Sequence, residues 1–334
     1  MYAREQGARG GRNGPAATYI VHMPSNVSTP LRAVALALVA FLGAACGTAT
    51  PQPSTPSPVI LADSTVIVDL RTGARIAPAE LARRMAAADI VLLGEQHDNA
   101  AMHRSRASLL RAQAPRRVSA VFEHFARSAT PIAPPAAGEA KDAWLDRNGF
   151  DRKGWQWPLH AALVDAALDN AAELRGTNLS REALRDVVRK GGGAAPAELR
   201  RLTEAAPMDS GARAILDADL VAGHCGQLPA AMVPGMRDAQ VARDAAMAEA
   251  LLAGRSGGQP WLLAGNGHVR ADIAVPRLLR VAVPTAKLLV VGFVELGAGS
   301  VLPALPPSTM YDIAVFVPAA TRPDPCAGMK APAR

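Results

Sequence analysis

Aromatic residues are scarce in this chain of 334 residues, with six Phe, four Trp and three Tyr, and lysine occurs only five times. Three cysteines are too few for a disulfide framework to stand in for a hydrophobic core. The longest signal-like apolar run, Ala33–Ala45, has 13 residues, short of the ~18 that a membrane-spanning helix needs. No segment recurs at a period of about 20–50 residues, which excludes solenoid and propeller architectures. No basic stripe with interleaved aromatics is present, and 36 Lys and Arg are nearly balanced by 29 Asp and Glu. That balance excludes a nucleic-acid-binding surface. The cationic excess is almost all Arg, which fits a composition bias better than an anionic partner. Apolar residues, by contrast, are plentiful at 49%, too many for a disordered chain and enough for one α/β core of about 250 residues.

The first 45 residues read as a targeting segment. Arg32 precedes the apolar run, small residues follow it, and Cys46 comes directly after Gly43-Ala44-Ala45. As a helix the run reaches ~20 Å, less than the ~30 Å of a bilayer core. A basic flank, a short apolar stretch and small residues before a cut describe an export signal. The Cys at the cut resembles a bacterial lipoprotein signal, with Cys46 as the lipidated residue. Leu42 stands four residues before Cys46, where such signals usually place Leu at three. Residues 1–22 read as an over-extended start, with Met23 as initiator, and 46–58 as a Pro/Ser/Thr tether. The expected location is outside the cytoplasm, lipid-anchored to a bacterial membrane on its periplasmic or cell-surface side. Cys225 and Cys326 remain; they can pair in an oxidising compartment, and neither has a zinc-ribbon spacing.

The body, 59–320, reads as a single α/β domain: a mostly parallel sheet flanked by helices, with a helical insertion or cap over about 180–255 and a disordered tail at 321–334. Strands are expected at 66–69, 89–94, 118–122, 175–178, 261–264, 288–294 and 313–317, the last at an edge. Helices are expected at 78–88, 100–114 and 159–174, with an irregular stretch over 128–158. Continuous apolar runs such as Ile90-Val91-Leu92-Leu93 mark strands buried on both faces.

Sites in open α/β sheets form beyond the carboxyl ends of the strands. Three strands are followed at once by titratable residues: Glu95, His97 and Asp98 after the second, Glu123 and His124 after the third, and His268 after the fifth. His103 joins them at the inward end of the helix stripe His103, Ala107, Leu110, Ala114. This convergence is the strongest signal in the chain. Glu95, His97, Glu123, His124 and His268 together make a mixed N/O donor set for a divalent metal ion. Glu95, His97, Glu123 and His268 are the acid–base groups of a hydrolase on the same reading. A purely structural account also stands: the two Glu satisfy loop amides, and His124 is a hydrogen-bonded core residue.

Six of the thirteen aromatics (Phe122, Phe125, Trp144, Phe150, Trp155, Trp157) fall between 122 and 157, suggesting a flat apolar wall on a loop. His160 follows at once and shares the buried stripe of its own helix. A His at the mouth of a Trp-lined segment has what an axial haem ligand requires; the alternative is a helix-start His that packs on Trp157.

The segments GEQHDNAAMH, VFEHF, WQWPLHAALVDAA…GTNLSR, GHCGQLP, MRDAQVARDAAMA and LLAGNGHVRADIAVPRLL, in this order, resemble the ChaN family of haem-binding uptake lipoproteins. That family belongs to the TIKI superfamily together with erythromycin-esterase-like proteins. The resemblance runs from about Val66 to Val317. It implies an α/β fold and a haem-binding protein of iron uptake rather than an enzyme, with haem held between two protomers through a Tyr. Here only Tyr311 lies in the mature chain, and His160 stands in the WPLH segment. The haem set expected is therefore His160 as iron ligand with Trp155, Trp157, Phe125 and His103. Carried over from the wider superfamily, the strand-end Glu and His would instead serve a metal-dependent hydrolase. The partners implied are haem, a second copy of the chain around it, and a membrane through Cys46; no nucleic acid is expected.

Overall fold

The computed structural model describes residues 58–61, 64–297, 299, 301–324 and 326–327. The export segment, Cys46 and the tether up to residue 57 lie outside them. Seven strands form one sheet: β1 (Val66–Asp69), β2 (Ile90–Leu93), β3 (Val118–Ala126), β4 (Ala171–Asn178), β5 (Gln259–Leu263), β6 (Leu288–Glu295) and β7 (Ile313–Val317). Their order is β1-β7-β6-β2-β5-β3-β4, and every pairing is parallel except β1 with β7.

Both faces are covered, as parallel sheets require. On one face lie α1 (Pro78–Ala87), α2 (Ala100–Arg111), α3 (Lys141–Arg147) and α4 (Ala161–Asn170). Leu81, Met85, Met102, Leu110 and Leu163 meet Val91, Leu93, Phe122, Trp261 and Leu263 there. Alternate residues of the same strands, Ile90, Leu92, Val121 and Leu262, point to the other face. They pack under α8 (Val233–Gly254), whose Ala-rich side allows close approach, and α10 (Val275–Ala282). Outside α8 stack α5 (Arg181–Lys190), α6 (Ala197–Ala205) and α7 (Ser210–Gly223); the one-turn α9 (Asn266–Val269) follows β5.

Four expectations are corrected. The helix expected to Leu174 ends at Asn170, and β4 begins at Ala171 because pairing with β3 outweighs the helical leaning of Ala-Ala-Glu-Leu. β3 extends four residues past Phe122, so Glu123 and His124 sit inside a strand. The stretch expected to be irregular contains α3. Finally, β7 is not at an edge: it lies between β1 and β6, and all five of its residues are buried.

Part of the tail expected to be disordered is held. Arg322 pairs with Asp98 and Glu295, and Cys326 is disulfide-bonded to Cys225.

Candidate functional site

Sheet register builds the site. Leu93 of β2 is level with Leu263 of β5 and Val291 of β6, and Leu263 with Phe122 of β3. Glu95, Glu123, His124 and Gly265 lie one or two residues beyond those positions, so they meet on one rim. The chain leaves β2 for α2 on one face and leaves β5 for α9 and α10 on the other, which opens a crevice between the two strands.

Glu95 is the hub. Its Oε1 accepts from His97 Nδ1 at 2.7 Å and from His124 Nε2 at 3.0 Å, and lies 3.5 Å from His160 Nε2. Its Oε2 pairs with the Arg106 guanidinium and lies 3.0 Å from His103 Nδ1. α2 supplies His103 and Arg106 one turn apart, and Asn99 starts that helix by accepting from Ala101 N and Met102 N. His103 donates from Nε2 to the carbonyl of His97 at 2.9 Å, which leaves Nδ1 without a hydrogen and facing the carboxylate. Burial lowers the basicity of His97 and His124 and takes His103 down to about 4; His160 is depressed by burial and by its neighbouring histidines. The four imidazoles are therefore neutral at pH 7.

A second group adjoins the first. Glu123 accepts the Gly265 amide at 2.7 Å and lies 3.4 Å from His268 Nε2, while His268 Nδ1 donates to Asp244 of α8 at 2.6 Å. Burial opposes charge on His268, yet Glu123 and Asp244 outweigh it and raise the imidazole to about 10. Burial likewise pushes Glu123 up, but His268, with His97 and His124, holds it well below the carboxylate range. An imidazolium is thus clamped between two carboxylates. A Cβ on Gly265 would lie 2.8 Å from His97 Nε2, so a larger residue there would push the His97 ring from its place.

An open cleft of about 810 Å³ reaches both groups, between Gln96, His97, Glu123, Arg243, His268 and Arg322. Of the five site histidines only His97 is well exposed, with 41% of its side chain accessible. Trp155 packs against it, ring centroids 4.8 Å apart, and against His124 at 4.6 Å.

The structure brings together Glu95, His97, His103, His124 and His160 around one carboxylate, with Glu123 and His268 adjoining. Ligand atoms of Glu95, His97, His124 and His160 all lie within 4.8 Å of one another. His160 does not stand at the mouth of an apolar slot: it is 1% exposed, stacked on His103 and His124. Phe125 is in the core against Trp144 and Phe150, so the aromatic wall is mostly core packing, and only Trp155 and Trp157 keep an exposed part. Tyr311 lies beneath Gly292, away from the cleft. Sequence reasoning missed Arg106, Gln240, Arg243, Asp244 and Arg322. The one available signal was the polar i, i+3, i+4 spacing of Gln240, Arg243 and Asp244 in an otherwise Ala-rich helix.

Fold and site define a parallel α/β protein with a His/Glu centre at the strand ends. The family described as haem-binding uptake, Tiki superfamily, ChaN, matches residues 81–279, more than half of the chain, and the chain belongs to it. No curated protein matches. Among solved structures, ChaN of Campylobacter jejuni, described as binding haem cofacially, is similar at 17% identity and a TM-score of 0.60. The alignment covers 77% of this chain and 98% of that one. A mutant of the erythromycin esterase EreC in its open conformation aligns at 15% identity and a TM-score of 0.35, covering 73% of this chain and 80% of that one.

Proposed function

We propose that this protein binds haem in the cleft beside His97 and serves haem-linked iron uptake as an exported lipoprotein anchored through Cys46. One observation carries the reading: His97, which lines the cleft, donates its Nδ1 hydrogen to Glu95 and keeps a bare Nε2, 3.8 Å from Glu123 Oε2, another cleft residue. Metal-binding histidines are characteristically oriented in this way by a carboxylate behind them, and they bind as neutral rings. The cleft lining is polar and glycine-rich, the half-exposed Trp155 packs on His97 next to it, and the cleft volume lies within the ~300–1,000 Å³ of small-molecule sites. The residues therefore fit the iron and the acidic arms of the group, while apolar cover for the ring would have to come from outside this lining. His97, rather than the interior His160, would hold the iron, and His103 and Phe125 support the site from behind. The opposite cleft wall is polar, so a second copy would supply the other cover, in line with the cofacial haem described for the Campylobacter jejuni protein.

The test is a haemin titration of the purified protein. A Soret shift that His97→Ala abolishes is the expected result. No shift with the unaltered protein overturns the proposal, and a shift that survives His97→Ala removes His97 from it.

A second reading is favoured by the donor set of Glu95, His97, His124 and His160, which suits a divalent ion, with Glu123 and His268 as acid–base groups of a hydrolase. Arg106 already neutralises Glu95, however, and the adjoining Glu123 is engaged by His268, so an ion there would add charge to a buried site. Metal analysis of protein purified without chelator decides: one equivalent of divalent metal supports the hydrolase reading.

A further inference from the structure

We propose that Arg243 is the anion-recognition residue of the cleft and takes a free carboxylate of the bound molecule, a propionate in the case of haem. The inference rests on the reading of the cleft as a ligand site and specifies the chemistry that the ligand must carry.

α8 turns Gln240, Arg243 and Asp244 toward the strand ends. Gln240 lies 3.3 Å from the ring nitrogens of His268, and Asp244 accepts from His268. Arg243, between them in sequence, lines the cleft and makes no hydrogen bond or ion pair among the described residues. Its Nε is buried without a partner.

The other guanidinium on the cleft wall is the opposite case. Arg322 reaches Asp98 at 2.5 and 2.8 Å, Glu295 at 2.6 and 2.8 Å and Gln96 at 3.2 Å, so it is saturated. The carboxylates that line the cleft are committed as well: Glu95 to Arg106, Asp98 to Arg322, and Glu123 to the Gly265 amide and His268. A half-buried guanidinium left without an anion is costly, whereas a carboxylate would meet it through two parallel N–H donors. An acceptor nitrogen and an unpaired cation on one wall select a molecule that combines an electrophilic or metal centre with an acidic arm.

The experiment compares haemin with its dimethyl ester, in which both propionates are masked, on the unaltered protein and on Arg243→Gln and Arg243→Lys. A hydrogen-bonded charge pair of this kind corresponds to about ten- to a hundredfold in affinity. The unaltered protein is expected to prefer haemin over the ester by that factor. Arg243→Gln should abolish the preference while leaving ester affinity unchanged, and Arg243→Lys should restore part of it. Equal binding of haemin and ester by the unaltered protein overturns the inference but leaves haem binding standing. If haemin does not bind at all, the haem proposal fails, and thermal melts in citrate decide this one: stabilisation that Arg243→Gln removes supports it, and no stabilisation overturns it.

Discussion

Replacing Arg106 by Met removes the cation that balances Glu95 while nearly preserving side-chain volume. Arg106 has no exposed surface, pairs with Glu95 Oε2, and directs Nη1 at the carbonyls of Leu93 at 3.3 Å and of Gly94 and Ala264 at 3.5 Å. Burial draws its guanidinium down to about 9, so it is still charged at pH 7.5. The carbonyl contacts are long and contribute little individually. The main loss is an uncompensated carboxylate in the interior, for which about 3–5 kcal/mol is the usual cost. That is a large part of the ~5–15 kcal/mol by which a domain is stable. Glu95→Gln combined with Arg106→Met removes the stranded charge and should recover about half of the loss, giving a coupling of ~2 kcal/mol in the double-mutant cycle. Urea unfolding followed by circular dichroism at pH 7.5 measures all three variants. If Arg106→Met unfolds within about 1 kcal/mol of the unaltered protein, or if the double variant is no more stable than the single one, Glu95 is not a buried carboxylate held by Arg106.

Two further outcomes follow from the site and the tail. Stability should peak near neutral pH. His103, facing Glu95, Arg106 and His97, has its imidazole lowered to about 4, so its contribution is complete above pH 6.5 and falls by about 2 kcal/mol on going to pH 5. His124 and His160 act in the same direction, while His268 offsets about 1 kcal/mol of that loss. His268, between Glu123 and Asp244 and raised to about 10, contributes fully below pH 6.5 and loses about 2.5 kcal/mol between pH 7 and 9. Urea midpoints at pH 5, 7 and 9 check both limbs, and His268→Gln should flatten the alkaline one. Removing the Cys225–Cys326 bridge, which spans a sequence separation of 101 residues, should lower stability by up to about 4.7 kcal/mol. Cys326→Ser should then melt lower and be indifferent to dithiothreitol, whereas the unaltered protein is sensitive to it.

The rim was legible because parallel strands write their ends plainly: an apolar run stops, and the next residues are Glu and His. The same logic located His103 through its helix stripe. What failed was the distinction between inside and outside. His160 lies on a buried stripe, and sequence spacing cannot tell a stripe facing a ligand from one facing three other histidines. The aromatics of 122–157 were misleading for a related reason, since Phe125 and Trp144 serve the core, Phe150 backs His124 and His160 from the buried side, and Trp155 packs on the more exposed His97. Arg106 and Arg322 left no signal in the sequence, and Arg243 and Asp244 only a polar spacing that went unread. They come from two helices and the chain's end, whose placement over the strand tips is decided by tertiary packing rather than local pattern.

The level alignment of Leu93, Leu263 and Phe122 ties the ligand centre to chain topology. Gly265 is brought within reach of Glu95 and His97 only by the pairing of β5 with β2, strands separated by most of the domain, and a one-residue slip of β5 would turn its side chains to the opposite face. Such distant contacts form late, after the entropy of closing long loops has been overcome. A short fragment carrying one strand end therefore lacks the rest of the rim, and the Glu/His centre is complete only once the sheet has assembled.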